Sequence, residues 1–411
     1  MLLRMVCLNE QMQEEIWSYD NETNVIYKPN GDRFDPSENS VLDRYKEIRS
    51  KRLKGVSDTK SNKVRTLKIQ LGLKCNMNCS YCVQGKTESV TCSPKDVNNF
   101  LNLLDDNEID VERIVEFWGG EPLVYWKTLK DLMPKINKRH DGIKFKIITN
   151  GTLLDKEKID FFRQFNTVLI CSHDADGYCM RGDDPLNNPK ILEAWRYANE
   201  NINFCINCVL TPANADVSKI IPFFKKKFGD DINVNIEGPM THTSVVSEEV
   251  MFSKESLKTM HDSIFNGLLK DDRNVWDLFF GRVSANIISL ARNVKVDPML
   301  PRCSSWNEDS LAVNLKGDVL ACHNFGDKQD IIGHISSLKD VHISNKLIGW
   351  SQREKCQDCF LVSECMGGCP YSSGLGWSMS CKNYFTFHSA IFEFSWLFVT
   401  KRILIGVYRQ Q

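Results

Sequence analysis

The chain has 411 residues, 42% of them apolar and 26% charged, an ordinary make-up for a globular protein with room for two cores. Its formal net charge of −1 gives no electrostatic case for a nucleic acid partner. The opening MLLRMVCLNEQMQEE is too polar for a secretory signal. The most apolar stretch, 389–408, is broken by Glu393, Lys401 and Arg402, which predicts an amphipathic terminal helix and no membrane span.

Residues 1–63 form an N-terminal extension with one hairpin around Ile26–Gly31 and no legible motif. From Val64 the pattern changes: Leu67, Ile69, Leu71 and Leu73 alternate with Thr66, Lys68, Gln70 and Gly72, a strand running into a loop. That loop holds Cys75, Cys79 and Cys82 in a C-x3-C-x2-C spacing. Three thiolates on a cubane 4Fe–4S cluster leave one iron for a small chelating molecule. A zinc site would want a fourth Cys or His nearby, and the nearest is Cys92. The sequence carries sixteen cysteines and no export signal, so metal or redox chemistry in a reducing, cytoplasmic compartment is expected.

A helix start at Ser93–Asp96 follows. Strand-like runs then recur at 113–118, 143–149, 167–172, 202–211 and 232–236, with helical stretches between them. With the first strand they make six β/α repeats over 64–240, which predicts a parallel sheet in an open partial barrel. Reactive groups in such folds sit on loops at the C-terminal ends of strands, where each motif falls.

The second strand runs into Trp118-Gly119-Gly120-Glu121-Pro122, which is either a tight turn or a close backbone approach to a ligand carrying an ammonium group. The third ends in Thr149-Asn150-Gly151-Thr152 and the fourth in Ser172-His173-Asp174-Ala175-Asp176-Gly177. On the fifth, alternation puts Cys205 and Asn207 on one face and Cys208 on the other. A buried inert thiol is the default for each; the sharper reading is a cavity-facing cysteine that exchanges a hydrogen atom. The sixth ends in Glu237-Gly238-Pro239. Residues 241–300 read as a helical bridge, with Leu257, Met260, Ile264 and Leu268 at helical spacing. Beyond it lie Cys303, Cys322, Cys356, Cys359, Cys365, Cys369 and Cys381, too many for one four-ligand site and nearly enough for two, with a pair of zinc sites as the alternative.

The three-cysteine loop, with Tyr81 before its last cysteine and Gly-Gly-Glu-Pro at this distance after it, resembles the radical S-adenosylmethionine (SAM) superfamily. The C-terminal set resembles the SPASM extension of peptide- and protein-modifying members, such as anaerobic sulfatase-maturating enzymes and maturases of ribosomally made peptides. Together the likeness spans about residues 64–385. It implies an α/β fold: a partial (β/α)6 radical SAM barrel followed by a small cysteine-rich SPASM domain at 301–385 holding two iron–sulfur clusters, then a C-terminal helix at 386–411.

By resemblance, Cys75, Cys79 and Cys82 bind the SAM cluster, and Gly119, Gly120 and Glu121 hold the SAM amino group. Tyr81, Asn150 and Ser172 line the cofactor, and Arg181 pairs with its carboxylate. Related sequences read Ser-x-Asp-Gly where this one has Ser-His-Asp-Ala-Asp-Gly, so Asp174 and Asp176 compete for one aligned position; Asp174, with Cys205 and Cys208, is a catalytic candidate. Cys303, Cys322 and Cys369 take auxiliary cluster I, with Asp309, His323 or an open iron as its fourth position. Cys356, Cys359, Cys365 and Cys381 take cluster II.

The implied cofactors are SAM and three 4Fe–4S clusters. The implied reaction is reductive cleavage of SAM to a 5′-deoxyadenosyl radical that removes hydrogen from a peptide or protein side chain, giving an oxidative or epimerising modification. The electron donor would be a flavodoxin or ferredoxin. The extension is short for a leader-binding winged-helix module. The alternatives are a dehydrogenase of a small molecule or nucleotide on the same scaffold, and a ferredoxin-like carrier, which would not need SAM-contacting motifs.

Overall fold

The computed structural model describes residues 1–35, 59–84, 96–240, 250–296, 303–324, 330–343 and 348–409. Cys92 and the helix start at Ser93–Lys95 lie outside them.

Six strands run in sequence order through one parallel sheet: β4 (Lys63–Gln70), β5 (Asp110–Trp118), β6 (Lys144–Thr149), β7 (Thr167–Ser172), β8 (Asn203–Leu210) and β9 (Val234–Pro239). They are preceded in the chain by β1 (Leu2–Leu8), β2 (Glu14–Asp20) and β3 (Val25–Tyr27), which belong to a separate sheet. The crossovers carry α1 (Asp96–Asp106), α2 (Trp126–Arg139), α3 (Lys156–Phe162), α4 (Pro189–Asn201) and α5 (Ile220–Phe228). One strand face is fully buried under these helices, with Leu67, Ile69, Val115, Phe117, Phe145, Ile147, Leu169 and Ile206 among its residues. The opposite face carries the more polar set, including Lys68, Glu116, Lys146, Ser172, Asn207 and Glu237. A sheet greasy on both sides would leave no polar interior, so this split is what makes a reaction chamber.

The sheet does not stop at β4. Its free edge accepts β10 (Ser310–Asn314) in parallel, with Thr66 opposite Ser310 and Gln70 opposite Asn314, and β11 (Asp318–Leu320) and β12 (Ile331–His334) follow antiparallel. The C-terminal cysteine region is therefore joined to the barrel by backbone hydrogen bonds. Between them α6 (Lys254–Leu269) and α7 (Arg273–Arg292) form the expected helical segment, and Arg282 Nη2 ties it to β9 through the Ile236 and Glu237 carbonyls. Single helical turns α8 (Glu354–Gln357) and α9 (Val362–Cys365) then lead to the long α10 (Gly374–Thr400).

Two expectations need correction. The helix expected over 386–411 begins at Gly374 and ends at Thr400. Lys401 turns left-handed (φ 59°), and residues 403–409 become β13 (Ile403–Arg409). A run of β-branched residues too short to show a period is ambiguous between helix and strand, and here β13 pairs with β1. Nor is α10 amphipathic. Phe387, Ile391, Phe392, Trp396 and Val399 are buried, because α6, α7 and the first sheet surround it. Trp396 meets Trp17 and Tyr19 edge-on, at centroid separations of 6.4 and 6.0 Å. The N-terminal extension thus contributes three strands of a four-stranded sheet in the order β13-β1-β2-β3, and its expected hairpin closes through an antiparallel Tyr27–Arg33 bridge. Among the described residues no helix is long and apolar enough to cross a membrane.

Candidate active site

At the end of β4 the chain continues extended: Leu71 N–H donates to Trp118 O at 3.1 Å. Gly72 then takes φ 148°, where a Cβ would stand 2.3 Å from Tyr125 Oη, and that hydroxyl accepts the Lys74 N–H at 2.9 Å. Gly119 (φ 147°) and Gly120 lie directly on this loop. A Cβ on either would come within 2.3 Å of Gly72 O or 2.4 Å of Leu73 O. Gly120 N–H donates to Gly72 O (3.0 Å) and Glu121 N–H to Lys74 O (3.1 Å). The glycines therefore dock one loop on the other, and no side chain fits there.

Glu121 is buried, and both its oxygens already accept hydrogen bonds. Oε1 takes Leu123 N–H (2.9 Å) and Thr149 Oγ1–H (2.6 Å); Oε2 takes Asn150 N–H (2.7 Å). Burial raises its pKa against the pull of those donors. Its carboxylate braces the end of β6, so what this motif has left to offer an ammonium group is backbone carbonyl. Asn150 in turn reaches the cysteine loop, donating from Nδ2 to Asn76 Oδ1 at 2.9 Å, with Cys75 Sγ 3.9 Å away. On the far side Ser80 donates through N–H and Oγ to Met180 O, at 2.8 and 3.1 Å. Cys75 is exposed and Cys79 and Cys82 half-buried. Burial pushes Cys79 up to about 11, neighbouring thiolates push the same way, and the Arg181 charge opposes them. Thiolates crowded like this want a metal's positive charge.

Asp174 is a hub with no accessible surface. It receives Arg181 through Nε (2.7 Å) and Nη2 (3.1 Å), Val209 N–H (3.0 Å) and the Tyr81 hydroxyl. The Arg181 guanidinium also sits 5.4 Å from the Tyr81 ring centre. Tyr81 and Arg181 are thus oriented by a buried carboxylate, and Asp174 has nothing left with which to touch a substrate. Neighbouring His173 is buried too. Its Nδ1 accepts Ala175 N–H (3.0 Å), its Nε2 faces Asp184 (3.0 Å), and desolvation lowers its pKa.

On the chamber face, Ser172 stands opposite Asn207 in register and Ile170 opposite Cys205. Cys205 and Asn207 are partly accessible; Cys208 points into the core, where Asn214 Nδ2 lies 3.6 Å from its sulfur. Burial pushes Cys205 up to about 11, so it stays a thiol at neutral pH. Asn207 donates to Glu237 Oε2 (2.8 Å), and Asn235 to Asn207 Oδ1 (2.7 Å). Lys68, paired with Glu116 at 3.6 Å, lies 3.4 Å from His323 Nδ1, and the His323 ring meets Trp118 edge-on at 4.5 Å. Desolvation and the Lys68 charge push His323 well below its usual pKa, so it is neutral.

The C-terminal cysteines fall into two groups. Cys303, Cys322 and Cys369 lie within electrostatic reach of one another. Lys60, almost fully buried, fixes the loop after Cys303 by donating to Ser305 O, Asn307 O and Ser310 O at 2.7–2.8 Å. Cys356, Cys359, Cys365 and Cys381 line a single cavity, walled by Leu361, Val362, Trp377 and Phe385. Four sulfurs around one apolar chamber form a donor set that fits an iron–sulfur cluster. Among the described residues no three His, Cys, Asp or Glu side chains converge on a single ion.

Comparison with known proteins agrees with this geometry. Residues 69–217 match the radical SAM superfamily. The chain carries a radical SAM domain. Its relatives include the radical SAM cyclopropyl synthase TigE of Paramaledivibacter caminithermalis, 22% identical over 80% of this chain and 72% of that protein. Another is a cysteine-type anaerobic sulfatase-maturating enzyme of Clostridium novyi, 24% identical over 72% and 84%. Among solved structures, anSMEcpe with bound AdoMet superposes with a TM-score of 0.60 at 18% identity, covering 82% of this chain and 98% of that one. Streptococcus suis SuiB bound to S-adenosylmethionine gives 0.51 at 17% identity, over 74% and 73%. These likenesses establish the shared fold.

Within the radical SAM domain, the structure gathers Cys75, Cys79, Cys82, Tyr81, the Gly119–Glu121 turn, Asn150 and Arg181 at one end of the sheet. Sequence reasoning missed Tyr125, Asn214 and the Lys68–Glu116 pair. Gly72 was the available signal for the first: an isolated glycine in a strand pattern marks a close approach.

Proposed function

We propose that this chain is a radical SAM enzyme of the SPASM type that abstracts hydrogen from a peptide or protein side chain. The observation that carries the reading is the pairing of a three-cysteine loop at the strand ends with a separate four-cysteine cavity in a domain that extends the same sheet. SAM held at an open iron supplies, on one-electron reduction, a 5′-deoxyadenosyl radical.

The protein's own work is to hold and orient. Cys75, Cys79 and Cys82 would bind the SAM cluster. Glu121 holds the end of β6 against the cysteine loop, and Asp174 fixes Tyr81 and Arg181 beside it. Cys303, Cys322 and Cys369 would hold one auxiliary cluster, and Cys356, Cys359, Cys365 and Cys381 the other. Cys205, a thiol on the chamber face, would give a hydrogen atom to a substrate radical; Cys208, in the core, would not. A polar chamber wall with Ser172, Asn207 and Glu237 suits a peptide's amides. Among the related solved structures is anSMEcpe with bound AdoMet and the Cp18Cys peptide. A flavodoxin or ferredoxin in a reducing cytoplasm would supply the electron.

The test is anaerobic reconstitution, iron analysis and reductant-dependent 5′-deoxyadenosine formation, followed by mass spectrometry of candidate peptides from neighbouring genes. Three clusters predict about twelve irons per chain. Fewer than about eight, or normal turnover by Cys79→Ala, overturns the reading.

A further inference from the structure

Arg353 plays no part in the function proposed above, yet only 7% of its surface is exposed. Its Nη2 donates to the carbonyl oxygens of Cys369 (3.1 Å) and Ser372 (2.8 Å). Its guanidinium lies 4.6 Å from the Trp377 ring, and that ring walls the four-cysteine cavity. Its Nε is buried and finds no acceptor among the described residues. The neighbouring charges acting on it are those of Cys356, Cys369, Cys365 and Cys381. A guanidinium stays charged, and one buried beside carbonyls alone is costly unless an anion balances it. Once metal-bound, the thiolates of both cysteine sets would supply that balancing charge.

We propose that Arg353 is an electrostatic positioning residue shared by the two C-terminal cluster sites, where its charge and free Nε–H raise the reduction potentials of both. The inference rests on the reading that these cysteines bind iron–sulfur clusters. Reduction adds negative charge to a cluster, so a fixed cation nearby favours the reduced form, and hydrogen bonds to sulfur act in the same direction. One guanidinium in reach of Cys369 and of Cys356, Cys365 and Cys381 shifts both couples together. A raised potential makes each cluster a better acceptor for an electron leaving a substrate radical.

The experiment is an EPR-monitored redox titration of the reconstituted full chain carrying C75A, C79A and C82A, so that only the C-terminal signals remain. R353Q is expected to keep its iron while its reduced-to-oxidised ratio at fixed potential falls about tenfold, equivalent to about 59 mV for a one-electron couple. R353K, which keeps the charge and loses the Nε–H, should fall by about threefold. An unchanged ratio in R353Q, or equal shifts in the two variants, overturns the proposal. Should R353Q lose iron, R353K decides: full iron with a small downward shift supports the role, and any other result overturns it. A background protein that holds no iron at all sinks the cluster reading itself, and Arg353's role with it.

Discussion

The chain holds cysteines in two regions, and it holds them differently. In the barrel, three thiols sit within eight consecutive residues, on a loop pinned by backbone bonds to the Gly119–Glu121 turn and to Met180. In the C-terminal domain, seven cysteines are spread from Cys303 to Cys381, and what assembles them is an extension of the sheet, two single-turn helices and the start of α10. The first site is a short motif made precise by its neighbours. The second is gathered from elements far apart in the chain and depends on the fold to bring its cysteines together.

The sharpest way to break this contrast is to remove one cysteine from each region. Cys79→Ala should reduce 5′-deoxyadenosine formation to background while keeping about eight of about twelve irons, because the seven C-terminal cysteines lie on other elements. Cys365→Ala should lose C-terminal iron, leave cofactor cleavage measurable and abolish the modified peptide. Iron analysis and product quantitation check both.

Next in size is the buried hub. Asp174→Asn leaves Arg181 without its counter-charge, which should lower stability by about 3–5 kcal/mol and shift the calorimetric Tm.

A glycine comparison is smaller. Gly119→Ala meets Gly72 O at φ 147° and should cost about 1–3 kcal/mol, with weakened SAM binding by calorimetry. Gly368 is also left-handed (φ 72°), but its nearest neighbour would be 3.9 Å away. Gly368→Ala should cost only about 1–2 kcal/mol and leave SAM binding alone.

The smallest effect concerns pH. Burial raises the Glu121 pKa above its unfolded value, so its contribution is fully present below the ordinary carboxylate pKa and is lost as pH rises through the raised one. The stability advantage of the native chain over Glu121→Gln should shrink across that window, read from Tm against pH.

The six parallel strands were legible because each shows its own alternation or apolar run, a local signal independent of distant partners. The barrel site was legible for the same reason: its residues sit at strand ends close to recognisable glycines. What stayed hidden depends on partners far away in sequence. β13 reads as part of a helix until β1 lies beside it, and β10 to β12 are too short to announce themselves without the β4 edge. Arg181 resembles a cofactor ligand until Asp174, seven residues earlier, is seen to take two of its donors. The part Glu121 takes in holding the next strand appears only once Thr149 and Asn150 are brought to it.

The pairing of β1 with β13 also sets an order of events during synthesis. At typical elongation speeds of about 5–20 residues per second, the nascent segment with Leu3, Met5 and Cys7 waits roughly 20–80 s for the strand that closes over it. Until then, its apolar edge is left to whatever chaperone meets the ribosome's tunnel exit.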